Sequence, residues 1–257
     1  MLKKDFKRIV IKIGSSIILN DNGSMNNAVL RSLVADITSL HKNREIIIVS
    51  SGAIGIGKTI LGVKKASDLT EKQALAAVGQ AHLIRIYEKL FSKFGIKVGQ
   101  VLLTQEDLQD KKRYQNVRNT LLRLIKHGII PIINENDTVA TEEIKIGDND
   151  NLSALVASKI DACLLIILSD VEGVYKDASK RSNGIIKKVT NINKFLKDFK
   201  VTSKKSVFGT GGIVTKIQAA QIMAKKKLPT VIAAGKKRNI ISKILKEKNA
   251  GTWFIES

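Results

Sequence analysis

A single cysteine, two prolines and an aromatic share of only 4% set the first limits on this 257-residue chain. Cys163 sits in the apolar run "CLLIIL", so no disulfide can form within the chain. A buried thiol in a reducing, cytoplasmic compartment is the expectation. With only Pro131 and Pro229, no proline-rich linker divides the chain, and one continuous domain over 1–257 is expected. No stretch approaches the ~18 uncharged apolar residues of a membrane span. The basic start "MLKKDFKRIVIKIG" enters a strand-like run at once, without the apolar core of a signal peptide.

What the chain has in excess is positive charge, +21 at neutral pH. Such a balance raises a nucleic-acid reading. Two features oppose it. The lysines fall in twos and threes along the whole chain, alongside abundant isoleucine and asparagine, as an AT-biased genome would produce. Aromatics are also too few to build a base-stacking surface. General attraction for anions is expected, with no dedicated nucleic-acid site.

Short runs rich in Ile and Val at 8–13, 45–49, 97–103, 129–133, 163–168, 230–233 and 252–255 lack strict alternation, as strands buried on both faces do. Between them, apolar residues recur at helical spacing at 25–41, 105–127, 151–160, 215–226 and 239–247. A further helix is expected to open on a capping box of Thr70 and Gln73 and to run through Leu90. The segment 170–205 reads as irregular, with a turn at "SNGII". The alternation predicts an α/β fold with an open, mainly parallel sheet, and such sheets bind ligands beyond the carboxyl ends of their strands.

Four strand ends are polar and glycine-rich. In "IKIGSS", Lys12 either lies on an exposed face or meets an anion, and the turn after it favours the anion. "SSGA" (50–53) is either a plain glycine turn or a place where backbone donors approach a ligand. "INENDTVATEEIKIGDNDNLSA" (133–154) carries more amides and acids than one helix cap needs. Such clusters grip a zwitterion, orient lysines or meet hydrated Mg²⁺. "GTGGIVTK" (209–216) exposes backbone N–H groups before a helix and suits a polyphosphate. His41, His82 and His127 show no metal-ligand spacing, and no metal-ligating residues are assigned.

One local pattern competes with these. "GAIGIGKT" (52–59) satisfies G-x-x-x-x-G-K-[ST] after a strand, the spacing of a P-loop, with Lys58 as the phosphate lysine. A P-loop would leave "KIGSS", "GDNDN" and "GTGG" without a purpose.

Taken together, "VIKIGSS", "VSSGAIGIG", "RYQNVRNT", "NENDTVATEEIKIGDNDNLSA", "LSDVEGVY" and "GTGGIVTKIQAA" resemble the amino acid kinase family in its glutamate-phosphorylating branch. The likeness spans about 8–254. It implies a three-layer αβα sandwich and phosphoryl transfer from ATP, with Mg²⁺, to the side-chain carboxylate of L-glutamate, the first step toward proline. By motif position, Lys12 and Lys216 flank the transferred group and Asp150 orients them. Ser51, Asp137 and Asn149 hold glutamate. Lys12, Ser169, Asp170 and the loop Thr210, Gly211, Gly212, Ile213, Val214, Thr215 and Lys216 hold the nucleotide. Lys58 falls outside the site. The resemblance further implies a homodimer or tetramer, inhibition by proline, and glutamyl phosphate reductase as a functional partner. Two departures stand out. Many bacterial relatives carry a C-terminal PUA domain, which is not expected after "GTWFIES", and Ile213 replaces the usual Met of the glycine loop.

The chemistry needs no general base, because a carboxylate acceptor is already ionised. Its difficulty is repulsion between two anions, which two lysines and Mg²⁺ would counter. The alternatives are another acceptor, acetylglutamate or carbamate, or a basic nucleic-acid-binding protein on the same scaffold.

Overall fold

The computed structural model describes residues 6–139, 149–175, 184–198, 212–247 and 250–256. Eight strands form one sheet. They are β1 (Arg8–Ile13), β2 (Glu45–Ser50), β3 (Val98–Leu103), β4 (Ile130–Glu135), β5 (Leu164–Ser169), β6 (Lys188–Val189), β7 (Thr230–Ala234) and β8 (Thr252–Phe254). Their order is β3-β4-β2-β1-β5-β7-β8-β6. Every neighbouring pair is parallel except β7 and β8, which pair antiparallel.

Alternation along the strands divides the core in two. Ile9, Ile11 and Ile13 of β1 join Ile46 and Ile48 of β2 on one face. That face is covered by α1 (Ser15–Ile18), α2 (Asn27–His41), α4 (Leu69–Ser92) and α10 (Ile240–Glu247). Val10, Ile47, Val49, Leu165 and Ile167 point the other way. There they meet α6 (Lys111–Lys126), α7 (Asn149–Lys159) and α9 (Ile213–Ala224). The expected αβα sandwich is what forms. Lys12 shares the parity of Val10, so β1 delivers its side chain to the face that α7 and α9 cover.

Three local expectations need correction. The long helix predicted over 105–127 is two, α5 (Gln105–Gln109) and α6, because Asp110 is extended at ψ 126° and turns its carboxylate to the backbone N–H of Arg113. The capping box is not built on Thr70 and Gln73. Asp68 caps α4 by accepting from the Glu71 N–H at 2.8 Å, and Glu71 reaches back to the Ser67 N–H. The stretch 170–205, read as irregular, holds β6 and α8 (Ile192–Asp198). Within "SNGII", Gly184 takes φ +73° beside a bridge between Tyr175 and Ile185; 182 and 183 lie outside the described residues.

The P-loop pattern dissolves. Residues 53–61 form α3 (Ala53–Leu61), so "AIGIGKT" is helix rather than a phosphate loop. Gly52 caps that helix at φ +97°, a conformation open to glycine. Gly57 and Gly79 let α3 and α4 touch backbone to backbone. A Cβ on Gly79 would lie 1.8 Å from the Ala53 carbonyl oxygen, and one on Gly57 would lie 2.0 Å from that of Leu75. Gly79→Ala should therefore lower unfolding free energy by roughly 3 kcal/mol, the upper range for overpacking. Gly62→Ala, strained in φ but with open space around it, should lose only about 1 kcal/mol. Urea denaturation midpoints of the two variants check the contrast.

Candidate functional site

β1 ends beside β2 and β5, with Lys12 in register with Val49 and Ile167. An ammonium group here is nearly sealed, 2% exposed, and requires a partner. One partner is Asp150, fully buried in the first turn of α7, whose Oδ1 lies 2.7 Å from Lys12 Nζ. Its Oδ2 lies 3.1 Å from the Nζ of Lys216, which α9 brings in from the far end of the chain at 4% exposure. Thr215 donates to the same oxygen at 2.9 Å. The α7 macrodipole presents its positive end to this carboxylate, which further favours ionised Asp150.

The opposite end of α7 is held just as deliberately. Its last carbonyls face donors from three other segments. Tyr114 and Arg118 donate to Lys159 O at 3.0 and 3.1 Å, Lys226 donates to Ser158 O at 2.8 Å, and the Arg8 guanidinium reaches Ile160 O. This explains the "RYQNVRNT" motif, whose Tyr and second Arg lie one turn apart on α6. Cations at a helix C-terminus interact favourably with its dipole, so α7 is braced along the axis that sets Asp150.

Beside the ionic cluster lies a network of amides and hydroxyls. Asn149 Nδ2 lies 2.5 Å from the Ser50 carbonyl, 2.7 Å from Asn134 Oδ1 and 3.1 Å from Ser51 Oγ. Asn134 in turn donates to Gln80 Oε1 at 2.7 Å. Ser50 Oγ and the Tyr87 hydroxyl are 3.0 Å apart beneath it. Burial pushes the Tyr87 hydroxyl up to about 12, with the Ser50 bond pulling the other way, so it stays neutral near physiological pH.

Of the residues singled out from sequence, Lys12, Asp150, Thr215 and Lys216 meet in one cluster, and Ser51 and Asn149 meet in the second. Asp137 is half-buried just beyond β4. Ser169 ends β5, buried, with its carbonyl accepting from the Gly235 N–H and its hydroxyl from the Val171 N–H. Asp170 is exposed beside it. Gly212 caps α9 and Ile213 and Val214 open it, while Thr210 and Gly211 lie outside the described residues. Sequence reasoning missed Gln80 and Tyr87, each on paper one more polar residue in an amphipathic helix, and gave no role to Tyr114 within "RYQNVRNT". Among the described residues, no group of three or more His, Cys, Asp or Glu side chains could hold a metal ion, and no helix is long and apolar enough to cross a membrane.

A sheet that brings a strand lysine and a helix lysine onto a buried aspartate, beside a network of amides, belongs to a known class. Residues 7–234 match the amino acid kinase family, and the chain belongs to it. Its relatives include the glutamate 5-kinase of Clostridium acetobutylicum, 47% identical over 252 residues that cover 96% of this chain and 94% of the relative. The glutamate 5-kinase of Caldanaerobacter subterraneus subsp. tengcongensis is also 47% identical, over 96% of this chain and 68% of its own length. Among solved structures, the UMP kinase from Bacillus anthracis aligns over 99% of this chain and 98% of its own, with a TM-score of 0.67 and 15% identity, a likeness of fold alone.

Removing the shared anion tests the cluster. Asp150→Asn removes the carboxylate that two buried ammonium groups share and should cost about 3–5 kcal/mol of stability. The combined Lys12→Met, Asp150→Leu, Lys216→Met protein should regain most of that loss. Denaturant unfolding of both proteins checks this.

Proposed function

We propose that this chain transfers the γ-phosphoryl group of ATP to the side-chain carboxylate of L-glutamate, giving L-glutamyl 5-phosphate and ADP. The observation that carries the reading is the Lys12–Asp150–Lys216 cluster at the carboxyl edge of the sheet, in a chain 47% identical to glutamate 5-kinases.

The carboxylate oxygen of glutamate attacks phosphorus and the bond to the β,γ-bridging oxygen breaks, leaving on ADP. Both reactants are anions, so the barrier is set by charge and alignment. Lys12 and Lys216, held together by Asp150, would present their two ammonium groups to the phosphoryl oxygens. Because Asp150 already fixes both ammonium groups, little reorganisation is needed when charge shifts to the leaving group. Ser51, Asp137 and Asn149 hold glutamate in this reading. Ser169, Asp170 and the segment from Thr210 to Lys216 hold the nucleotide. Both Asp150 oxygens face cations, so the donor set fits a Mg²⁺ carried by the nucleotide phosphates rather than a protein cage, and that ion would supply further charge neutralisation. Proline as an inhibitor, a dimeric or tetrameric assembly and a reductase consuming the labile acyl phosphate belong to the same reading. Acetylglutamate and carbamate are the acceptors to exclude.

Glutamate-dependent ADP release, with hydroxylamine trapping the acyl phosphate, tests the proposal. Lys12→Ala and Lys216→Ala should each lower kcat by on the order of 100–1000-fold, the cost of one preorganised donor. Lys58→Ala should leave turnover near that of the unsubstituted protein. Asp137→Ala should raise the KM for glutamate far more than that for ATP. Release of ADP with acetylglutamate or carbamate but not with glutamate would overturn the acceptor assignment.

A further inference from the structure

Gln80, on α4, has a side-chain nitrogen that is sealed from solvent and meets no acceptor among the described residues, although its Oε1 is engaged by Asn134. The direction of that contact is set by backbone groups that cannot reverse. The Glu135 N–H can only donate, and it donates to Asn134 Oδ1 at 2.9 Å. The other Asn134 heteroatom is therefore the nitrogen that donates to Gln80. The Ser50 carbonyl can only accept, and it accepts from Asn149 Nδ2 at 2.5 Å. That nitrogen also donates to Asn134 Oδ1 at 2.7 Å. Turning any one of the three amides would set like poles against each other. With Oε1 committed to Asn134, the unpaired Gln80 nitrogen is a consequence of the same polarity.

Both hydrogens of Asn149 Nδ2 are thus used inside the protein, and Ser51 Oγ is a longer third neighbour at 3.1 Å. Asn149 has only its Oδ1 left to offer. That atom accepts no hydrogen bond from the described residues and is not among the sealed, unpartnered atoms, so it lies in the 8% of Asn149 that remains exposed. An acceptor cannot recognise a carboxylate. It suits an ammonium group, whose charge-assisted hydrogen bond is about twice as strong as a neutral one.

We propose that Gln80 is a positioning residue that, acting through Asn134, holds Asn149 with its carbonyl oxygen facing the substrate, so that the pocket selects a dicarboxylate bearing a free α-ammonium group. The inference rests on the glutamate-kinase reading and assigns the part of the acceptor that this amide relay recognises.

The test compares the unsubstituted protein with Gln80→Leu, which removes the acceptor, and Gln80→Glu, which keeps one. In substrate-free protein, the side-chain amide protons of Asn149, followed by NMR, should exchange slowly in the unsubstituted and Glu proteins. They should exchange at least about tenfold faster in the Leu protein. In kinetics, Gln80→Leu should raise the glutamate KM about tenfold, while the ATP KM and the inhibition constant of glutarate, which lacks the ammonium group, stay within about twofold. Gln80→Glu should restore the glutamate KM. Equal amide protection in all three proteins overturns the relay. Parallel weakening of glutamate and glutarate, or no change for glutamate, overturns the selection of the ammonium group. Protected amides in an unsubstituted protein that never releases ADP with glutamate would defeat the functional reading, and with it the ammonium assignment, while leaving the relay standing. If the Leu protein does not fold, Gln80→Met, closer in shape and without a strong acceptor, carries the same expectations.

Discussion

The carboxylate of Asp150 is the constraint on which the arrangement turns. It is fully buried, it faces two ammonium groups that are themselves nearly buried, and each of the three comes from a different element. Such a cluster is a poor way to stabilise a fold. The desolvation of three charges cancels most of what their attraction returns, and apolar replacements of similar volume are often as stable or more so. Its merit lies elsewhere. In the proposed reaction, the two ammonium groups that Asp150 holds together would meet a phosphoryl group in flight. The same carboxylate holds the two lysines together, as the proposed reaction would require.

That demand propagates outward. For Asp150 to hold two lysines it must not move, so α7 is anchored at both ends. Its first turn joins the ionic cluster and the amide network, and its last carbonyls accept from Arg8, Tyr114, Arg118 and Lys226. β1 participates twice. Arg8 at its start grips the C-terminal end of α7, and Lys12 at its end grips Asp150 at the other. One strand of six residues therefore spans the helix it positions. The glycine contact between α3 and α4 performs a similar service for the second cluster, since it seats Gln80 and Tyr87 beneath the turn that carries Ser50 and Ser51.

The strands were legible because a sheet buried on both faces leaves a plain mark, runs of Ile and Val too short for helices. Lys12 stood out for the same reason, as a charge inside such a run. The break at Asp110 was harder to see. Leu108, Leu121 and the polar residues between them fit one helix as well as two, and only the aspartate's preference for capping the Arg113 N–H decides the matter. Gln80 and Tyr87 were invisible on different grounds. Helical spacing shows which face a residue occupies, but not that the facing element ends in an asparagine or a serine. A polar side chain on an inward face looks like an exception until its partner, 54 residues away for Gln80, is known.

The false P-loop shows the converse limit. A glycine in a sequence records that the backbone there needs freedom or closeness, and it does not say for what. Gly52 needs freedom because α3 begins in a left-handed conformation, and Gly57 needs closeness because the Leu75 carbonyl lies against it. Two structural requirements five residues apart reproduced the spacing that a phosphate cradle also requires. Lys58 completed the pattern on a helix already one turn old, where the free N–H groups that make a P-loop are tied into helical hydrogen bonds. The segments that do converge, at 12, 150 and 216, share no local spacing at all. What links them is the parity of a strand and the direction of two helices, so the candidate site of this chain is written in its topology rather than in any one stretch of it.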